Sequence, residues 1–294
     1  EKRGIGTVPI PFADRPMIEV VQATAPDIYW SMVPKRSAWC THHGLGKAPS
    51  WLVRVGYESD FHYATDATHY HGLDLLLVRA YSAVGQARFL PGGLDLRRIR
   101  WLPFCLSRPA SQRLQAAPPL TAHALEQQVR DRTMRIPRAV ATGVVAHEVY
   151  PRRTAAIKAL VAAGLCDVVP GYLPEEAYYD KLRRYQFAIT CSSKWSLDVA
   201  KHIEIPAAGC VLLTDGLSDG LDYLLPGGSQ AQDPPCQYIR YTDGDDVVDI
   251  VRELCDWDPL QLIAVASAAQ EQVRQRHTFD ARVRELGRLL TEIV

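Results

Sequence analysis

The sequence has no surplus of either charge: Lys plus Arg and Asp plus Glu number 33 each among 294 residues. A chain without cationic excess is a poor general binder of nucleic acid, although a local basic patch stays open. It has no uninterrupted apolar run of about 18 residues, which excludes a membrane-spanning helix by that criterion. Cysteine occurs seven times but never as C-x-x-C, and its spacings are wide. That pattern predicts buried free thiols in a reducing compartment, hence the cytoplasm, with a zinc site or a catalytic thiol as alternatives. Internal repeats and low-complexity tracts are missing. The chain opens Glu1-Lys2-Arg3-Gly4, without an initiator Met or a signal-peptide core, from which a processed or trimmed product is expected. What is present is ordinary for a globular protein. Hydrophobic residues make up 47% and charged residues 22%, which argues against disorder. The length suits about two domains.

The apolar pattern divides the chain. Residues 1–106 read as an α/β domain of short strands at 27–33, 51–55, 73–78 and 99–104, with helices near 18–23 and 65–71. The run Leu73-Asp74-Leu75-Leu76-Leu77-Val78 is nearly continuous, as in a parallel strand covered on both faces. Residues 107–137 carry Pro109, Pro118, Pro119 and Pro137 and read as a linker and irregular lead-in. From 138 to 294 strands and helices alternate regularly. Strands are expected at 138–145, 167–169, 187–191, 210–214 and 237–241. Helices are expected at 151–164, 174–185, 197–208, 219–225, 245–255, 259–276 and 279–293. Pro151 opens the first of these helices and Gly164 closes it. Such alternation means βαβ units and a parallel sheet. The fold class is therefore α/β, with two Rossmann-like domains facing across a cleft. The first is short or trimmed, and the last helix is expected to pack back on it. Ligands of parallel sheets sit at the carboxyl ends of the strands, so the site is expected in the cleft.

The most informative segment runs from Tyr185 to Asp215. An apolar strand ends in Ser192 and Ser193, and a helix follows. Hydroxyl residues and free N–H groups at a strand-to-helix turn suit an anion such as phosphate. Lys201 and Glu204 are three apart and share a helix face. One offers a cation for a phosphate, the other an acceptor for sugar hydroxyls. Gly209 permits a tight exit into the next strand. The same spacing also suits a surface Lys–Glu pair with a glycine cap.

The run Lys201-x-x-Glu204-x-x-Ala207-x-Gly209 before an apolar strand resembles the donor-site signature of group 1 glycosyltransferases of the two-Rossmann-domain (GT-B) fold. It looks closest to the branch of spore-maturation-protein-like glycosyltransferases. Thr142-Gly143 followed by Tyr150-Pro151-Arg152-Arg153 resembles that branch's opening strand, loop and arginine-bearing helix. Tyr179-x-x-Leu182-x-x-Tyr185 and His277-Thr278-Phe279-x-x-Arg282 resemble two further elements in the same order. The resemblance covers residues 138–290 well and the front half loosely. It implies transfer of a sugar from a nucleotide-diphosphate donor, which is a co-substrate, with no bound cofactor. Glu204 matches the glutamate that binds the nucleotide ribose. Ser192, Ser193 and Lys201 would lie near the diphosphate, Gly143 would let the loop approach the donor, and Arg152 or Arg153 would make a bidentate phosphate contact. A solvated first helical turn is the other reading of these arginines. One departure stands out. Many retaining members carry a second glutamate eight positions before the ribose-binding one, and here that position is Ser196.

The front half supplies the acceptor side. Tyr57-Glu58-Ser59-Asp60-Phe61-His62 directly follows a strand. An inverting transfer needs a base for the acceptor hydroxyl, and the resemblance also places an aspartate and a histidine here. Asp60 and His62 are the catalytic candidates, Asp60 first; a loop-capping Asp and a partly exposed His are the plainer reading. No metal is expected, because the His and Asp residues between 60 and 74 match no zinc spacing such as H-E-x-x-H. The segment His42-His43-Gly44-Leu45-Gly46-Lys47 lacks the Gly-Lys-Ser/Thr ending of a phosphate loop and reads as a glycine loop near the acceptor. The acceptor is a hydroxyl on a small molecule, a glycan, a protein or a modified nucleic-acid base. A nucleotide-sugar epimerase of the same fold and a non-catalytic nucleotide- or sugar-binding module are the alternatives.

Overall fold

Four consecutive apolar residues, Leu75 to Val78, are all buried and form an inner strand of the first of two parallel sheets. The computed structural model describes residues 28–32, 52–58, 73–78, 96–116, 127, 130–131, 133–143, 148–194, 196–218, 220–226, 228, 236–244 and 246–292. The described residues up to Trp101, with Leu289 to Glu292, belong to one compact unit, and Leu102 to Arg288 form the second. The helices expected near 18–23 and 65–71 lie outside the described residues.

The first unit holds β1 (Ile28–Met32), β2 (Val53–Glu58), β3 (Leu75–Val78) and β4 (Ile99–Trp101), side by side in chain order and all parallel. Strands paired this way are covered on both faces, which is why β3 reads as an unbroken apolar run. Arg54 grips Asp74 where β3 begins: its Nε and Nη2 donate to the carboxylate at 2.8 and 2.9 Å, and its backbone N–H donates at 2.9 Å. Burial works to raise the Asp74 carboxyl, but these hydrogen bonds outweigh it and hold the group below its ordinary range. Glu292 adds an ion pair to Arg100 at 3.5 Å within the same unit.

The second unit opens with α1 (Arg108–Ala116), inside the stretch expected to be an irregular linker. Prolines suggest a loop there, yet Pro109 falls in the first helical turn, where its missing N–H costs nothing. Ser107 caps that turn, its hydroxyl accepting from Ala110 N at 3.2 Å. Then follow β5 (Ile136–Thr142), α2 (Pro151–Ala162), β6 (Cys166–Val169), α3 (Glu175–Arg183), β7 (Tyr185–Ile189), α4 (Lys201–Ala207), β8 (Val211–Thr214), α5 (Leu221–Leu224), β9 (Ile239–Arg240), α6 (Asp246–Cys255), α7 (Pro259–Arg276) and α8 (Phe279–Thr291). The sheet order is β6-β5-β7-β8-β9, all parallel. Its core joins Ala139 and Ala141 of β5, Phe187 and Ile189 of β7 and Val211 and Leu213 of β8 to Ile157, Leu160, Val251 and Leu262 from the helices. The ends of α2 obey local chemistry: Pro151 starts it, and Gly164, at φ +71°, turns the chain back into β6. Asp258 and Gln261 close a reciprocal capping box on α7.

The segment His277-Thr278-Phe279-x-x-Arg282 is a structural bolt. The His277 Nε2–H donates to Leu224 O at 2.9 Å, while Nδ1 accepts from Arg282 at 3.0 Å. Arg282 also donates to Phe104 O at 3.0 Å and pairs with Glu285. Thr278 caps α8, and Phe279 N donates to the Ser111 hydroxyl at 2.8 Å. These bonds hold residues 104–111 against the end of the second unit. His202 plays a comparable part between α4 and β8. Its Nδ1 accepts from Val199 N at 3.3 Å, which leaves the proton on Nε2, facing Thr214 Oγ1 at 3.1 Å.

Burial pushes His202 down to about 4, and burial, with the Arg282 charge beside it, pushes His277 to about 4 as well, from an ordinary 6.5. Both are neutral in the folded protein at pH 7. The unfolded chain binds these protons once pH falls below about 6.5, so the stability they support is complete above that value and is lost between 6.5 and 4. Urea unfolding at a series of pH values should show a loss on the order of 1 kcal/mol per pH unit per histidine in that window. His202→Gln should remove about half of that slope. A flat stability profile from pH 7 to 5 would contradict the assignment.

Candidate functional site

The order β6-β5-β7 makes the chain leave β5 toward one edge of the sheet and β7 toward the other. Such a reversal opens a crevice at the carboxyl ends of the two strands, where open α/β sheets hold their ligands. β5 ends there in Thr142 and Gly143. Gly143 has φ +83°, a left-handed backbone that a side chain strains, and a Cβ at this position would lie 3.6 Å from Lys201 Nζ. Lys201 therefore lies across the glycine from α4, and Glu204 sits one turn further along.

A tyrosine from α3 joins the pieces. The Tyr178 hydroxyl donates to Glu204 Oε2 at 3.1 Å, and the Thr142 hydroxyl bonds the same phenol oxygen. The Lys201 ammonium lies 5.7 Å from the centre of the Tyr178 ring, within cation–π reach. One aromatic residue thus touches β5, the cation and the carboxylate. Burial raises the Glu204 carboxyl, against the attraction of Lys201 and the Tyr178 hydrogen bond, and burial also pushes the Tyr178 phenol well up. The Lys201 ammonium is pushed down, first by burial and then by the Arg153 charge, with Glu204 pulling the other way. Arg153 is buried, its guanidinium stacked 4.3 Å from the centre of the Tyr150 ring. Two partly desolvated cations close enough to repel each other form a site that an anion would relieve. Glu204, deprived of water, offers carboxylate oxygens to hydroxyl donors.

Ser192 and Ser193 lie in the loop between β7 and α4, because α4 starts only at Lys201 and not at 197. Their backbone N–H groups, expected to be free for an anion, are already used. Ser192 N donates to Asp215 Oδ1 at 3.0 Å and its hydroxyl to Oδ2 at 2.8 Å; Ser193 N donates to Leu197 O at 3.1 Å. The Ser193 hydroxyl accepts from Leu197 N at 3.2 Å, and Ser196 N donates to Ser193 O at 2.9 Å. Ser196 takes φ +60°, unusual for a serine. The loop is thus a wound turn rather than a helix entry. Asp215, at the carboxyl end of β8 and 1% exposed, anchors it. Arg152 Nη1 reaches Asp215 Oδ2 at 3.8 Å from a half-exposed position, which brings the first turn of α2 to the same loop. Tyr178 and Asp215 carry no assignment in the sequence reading. Tyr178 directly precedes Tyr179, the helix position that the resemblance marks, and Asp215 directly follows an apolar strand, the one available signal.

Gly209 stands apart. It follows α4 with φ +72°, before the amino end of β8, where its carbonyl accepts from Arg135 Nη1 at 2.7 Å. That is the opposite end of α4 from Lys201. Asp60 and His62, and the glycine loop 42–47, lie outside the described residues. The six described cysteines are free. Burial pushes Cys166 and Cys191 up to about 12, so they are thiols and not nucleophiles. Cys255, which is exposed, and Cys105, which is half-buried, depart from the expectation of burial. Among the described residues no group of three His, Cys, Asp or Glu converges as a metal site, and no helix is long and apolar enough to cross a membrane.

Residues 131–288 match the profile of a family described as glycosyl transferase-like. None of the curated proteins matches the sequence. Among solved structures, the chain is similar to the N-terminal domain of trehalose-6-phosphate phosphatase from Candida albicans, at 10% identity and TM-score 0.63 over 94% of this chain and 73% of that one. It is similar to HepE of Anabaena in complex with UDP-glucose, at 11% identity and TM-score 0.62 over 93% and 81%. A UDP-forming α,α-trehalose-phosphate synthase from Burkholderia vietnamiensis follows, at 10% identity and TM-score 0.56 over 89% and 74%. At such identities the likeness is one of fold, the α/β fold with parallel sheets of the GT-B type.

The Asp215 anchor can be tested on stability alone. Asp215→Ala leaves the buried Ser192 N–H and hydroxyl without their acceptor, and should cost about 1–3 kcal/mol in urea unfolding. Ser192→Ala keeps the N–H bond but leaves the buried Asp215 Oδ2 without its hydroxyl donor, and should cost about 1.5–3 kcal/mol as well. Equal stability of Asp215→Ala and the parent chain would remove the anchor from the account.

Proposed function

The chain belongs to the glycosyl transferase-like family, and from that premise we propose that it moves a sugar from a nucleoside-diphosphate donor to a hydroxyl acceptor. The observation that carries this reading is the cluster at the switch point of the second sheet: Gly143, Tyr178, Lys201 and Glu204. Glu204 accepts from the ribose hydroxyls, held in place by Tyr178. Lys201 and Arg153 take the diphosphate, whose charge ends their mutual repulsion, and Gly143 lets it lie against the backbone. Arg152 swings within its exposed first turn to add a bidentate contact. Ser192 and Ser193 contribute through the shape of their loop. A UDP-sugar is the donor we favour, supported by the Anabaena HepE complex with UDP-glucose.

In the transfer, the acceptor oxygen attacks the anomeric carbon while the bond from that carbon to the diphosphate oxygen breaks. The leaving diphosphate keeps the electron pair, and Lys201 and Arg153 meet its charge. Ser196 stands where many retaining members have a glutamate, so we read the reaction as inverting. The acceptor proton then goes to a base, which we assign to Asp60 with His62 beside it. Protein cations do the work of a divalent ion in this scheme, and the enzyme acts in the cytoplasm.

Incubation with a panel of nucleotide sugars, read by nucleoside diphosphate release, tests the activity. Glu204→Ala should weaken UDP binding by about 1.5–3 kcal/mol, the worth of a charge-assisted hydrogen bond. Asp60→Asn should slow turnover by about 10²–10⁴-fold with UDP affinity nearly unchanged. Turnover should survive an excess of chelator. Failure of every nucleotide sugar to release diphosphate would sink the reading, and activity abolished by chelator and restored by manganese would sink its metal-independent part.

A further inference from the structure

The second unit has a cavity at the other end of its sheet. Arg135 directly precedes β5, Arg183 stands just before β7 and Gly209 just before β8; these strands are neighbours in the order β5-β7-β8. Their amino ends therefore converge, and beneath them lies an open cavity of about 250 Å³ flanked by α1, α3 and α7. Its polar lining consists of Arg113, Arg135, Arg183, Ser267, Gln270 and Asp131, with the Tyr179 side chain and small alanines between them.

The charges are unevenly placed. Arg113 pairs with Glu175 at 2.9 Å and Arg183 with Asp180 at 2.9 Å, but neither carboxylate lines the cavity. Both pairs are substantially exposed, and such pairs hold their partners weakly. Among the described residues Arg135 has no carboxylate partner; it donates to Gly209 O, and Gln270 donates to Ala207 O at 3.1 Å. The carbonyls that end α4 are thus already satisfied, and the remaining guanidinium donors are left for a ligand. Among the described residues the lining sets one acid, Asp131, against three arginines. The guanidiniums of Arg113 and Arg183 both lie near the Tyr179 ring, at 5.6 and 6.0 Å from its centre, which gathers them on one side of the cavity. A planar fork of this kind suits a phosphate oxyanion. The volume lies somewhat under the range of about 300–1,000 Å³ typical of drug-sized ligands, and exceeds what a lone phosphate fills. Ser267 and Gln270 offer neutral partners for hydroxyls.

We infer that this cavity binds a small phosphate monoester on a polyhydroxylated body, separately from the nucleotide. The inference does not depend on the transferase reading.

Calorimetric titration of the full chain with glucose 6-phosphate, inorganic phosphate and glucose, in the presence and absence of excess UDP, tests it. The expected result is saturable binding of glucose 6-phosphate, at least tenfold tighter than inorganic phosphate and with none for glucose. UDP should leave that affinity within threefold. Arg135→Gln with Arg183→Gln should weaken binding at least tenfold. Ser267→Phe, which fills the cavity and removes no charge, should abolish it while far-UV circular dichroism stays as in the parent chain. No saturable binding of glucose 6-phosphate, inorganic phosphate binding as tightly, competition by UDP, or undiminished binding in Ser267→Phe would each overturn the proposal. UDP binding in the same titrations reports on the donor site independently.

Discussion

The strand order of the second sheet is the constraint on which the rest depends. β5 enters first and is flanked by β6 on one side and β7 on the other, so right-handed crossovers must place successive helices on opposite faces. The carboxyl ends of β5 and β7 then have no crossover passing between them. Whatever the sequence places at those ends faces a crevice. Here it places a left-handed glycine, a wound serine loop and a two-turn helix that starts with lysine. The chemistry is carried by side chains, but its location follows from topology.

Within that crevice the components constrain one another. Tyr178 holds Glu204 through one hydrogen bond and faces the Lys201 ammonium with its ring. Lys201 is largely buried, and burial together with the Arg153 charge raises the cost of its own. The loop after β7 is fixed from a different direction, by Asp215 at the end of β8. The neutral His202 ring ties the same strand to α4. β5, β7, β8 and α4 are therefore set relative to one another by polar contacts at one end of the sheet, above an apolar core.

Much of this was legible in the sequence. The nearly continuous apolar run over 73–78 announces β3, and Pro151 with Gly164 bounds α2. The Lys201–Glu204 spacing put both side chains on one helix face, and the structure brings them to the same crevice as Gly143. The misreadings have physical causes. Pro109 reads as a loop signal, yet in a first turn capped by Ser107 it starts a helix. The helix expected from 197 begins at Lys201 because Ser193 and Ser196 wind the chain into a turn that competes with it. Tyr178 was invisible because its role depends on a partner 26 residues away. Gly209 matched the signature, yet its place is set by the helix end it closes, beside Arg135.

Glu204 is the residue we propose to read the ribose of a nucleoside diphosphate. The most direct measurement is a cycle of four affinities by calorimetry: UDP and 2′-deoxyuridine diphosphate, each with the parent chain and with Glu204→Ala. The account predicts that loss of the ribose hydroxyl weakens binding by about tenfold in the parent chain, as for one charge-assisted hydrogen bond, and by almost nothing in Glu204→Ala. An equal penalty in both proteins would contradict it, because the hydroxyl would then be bound by some other group.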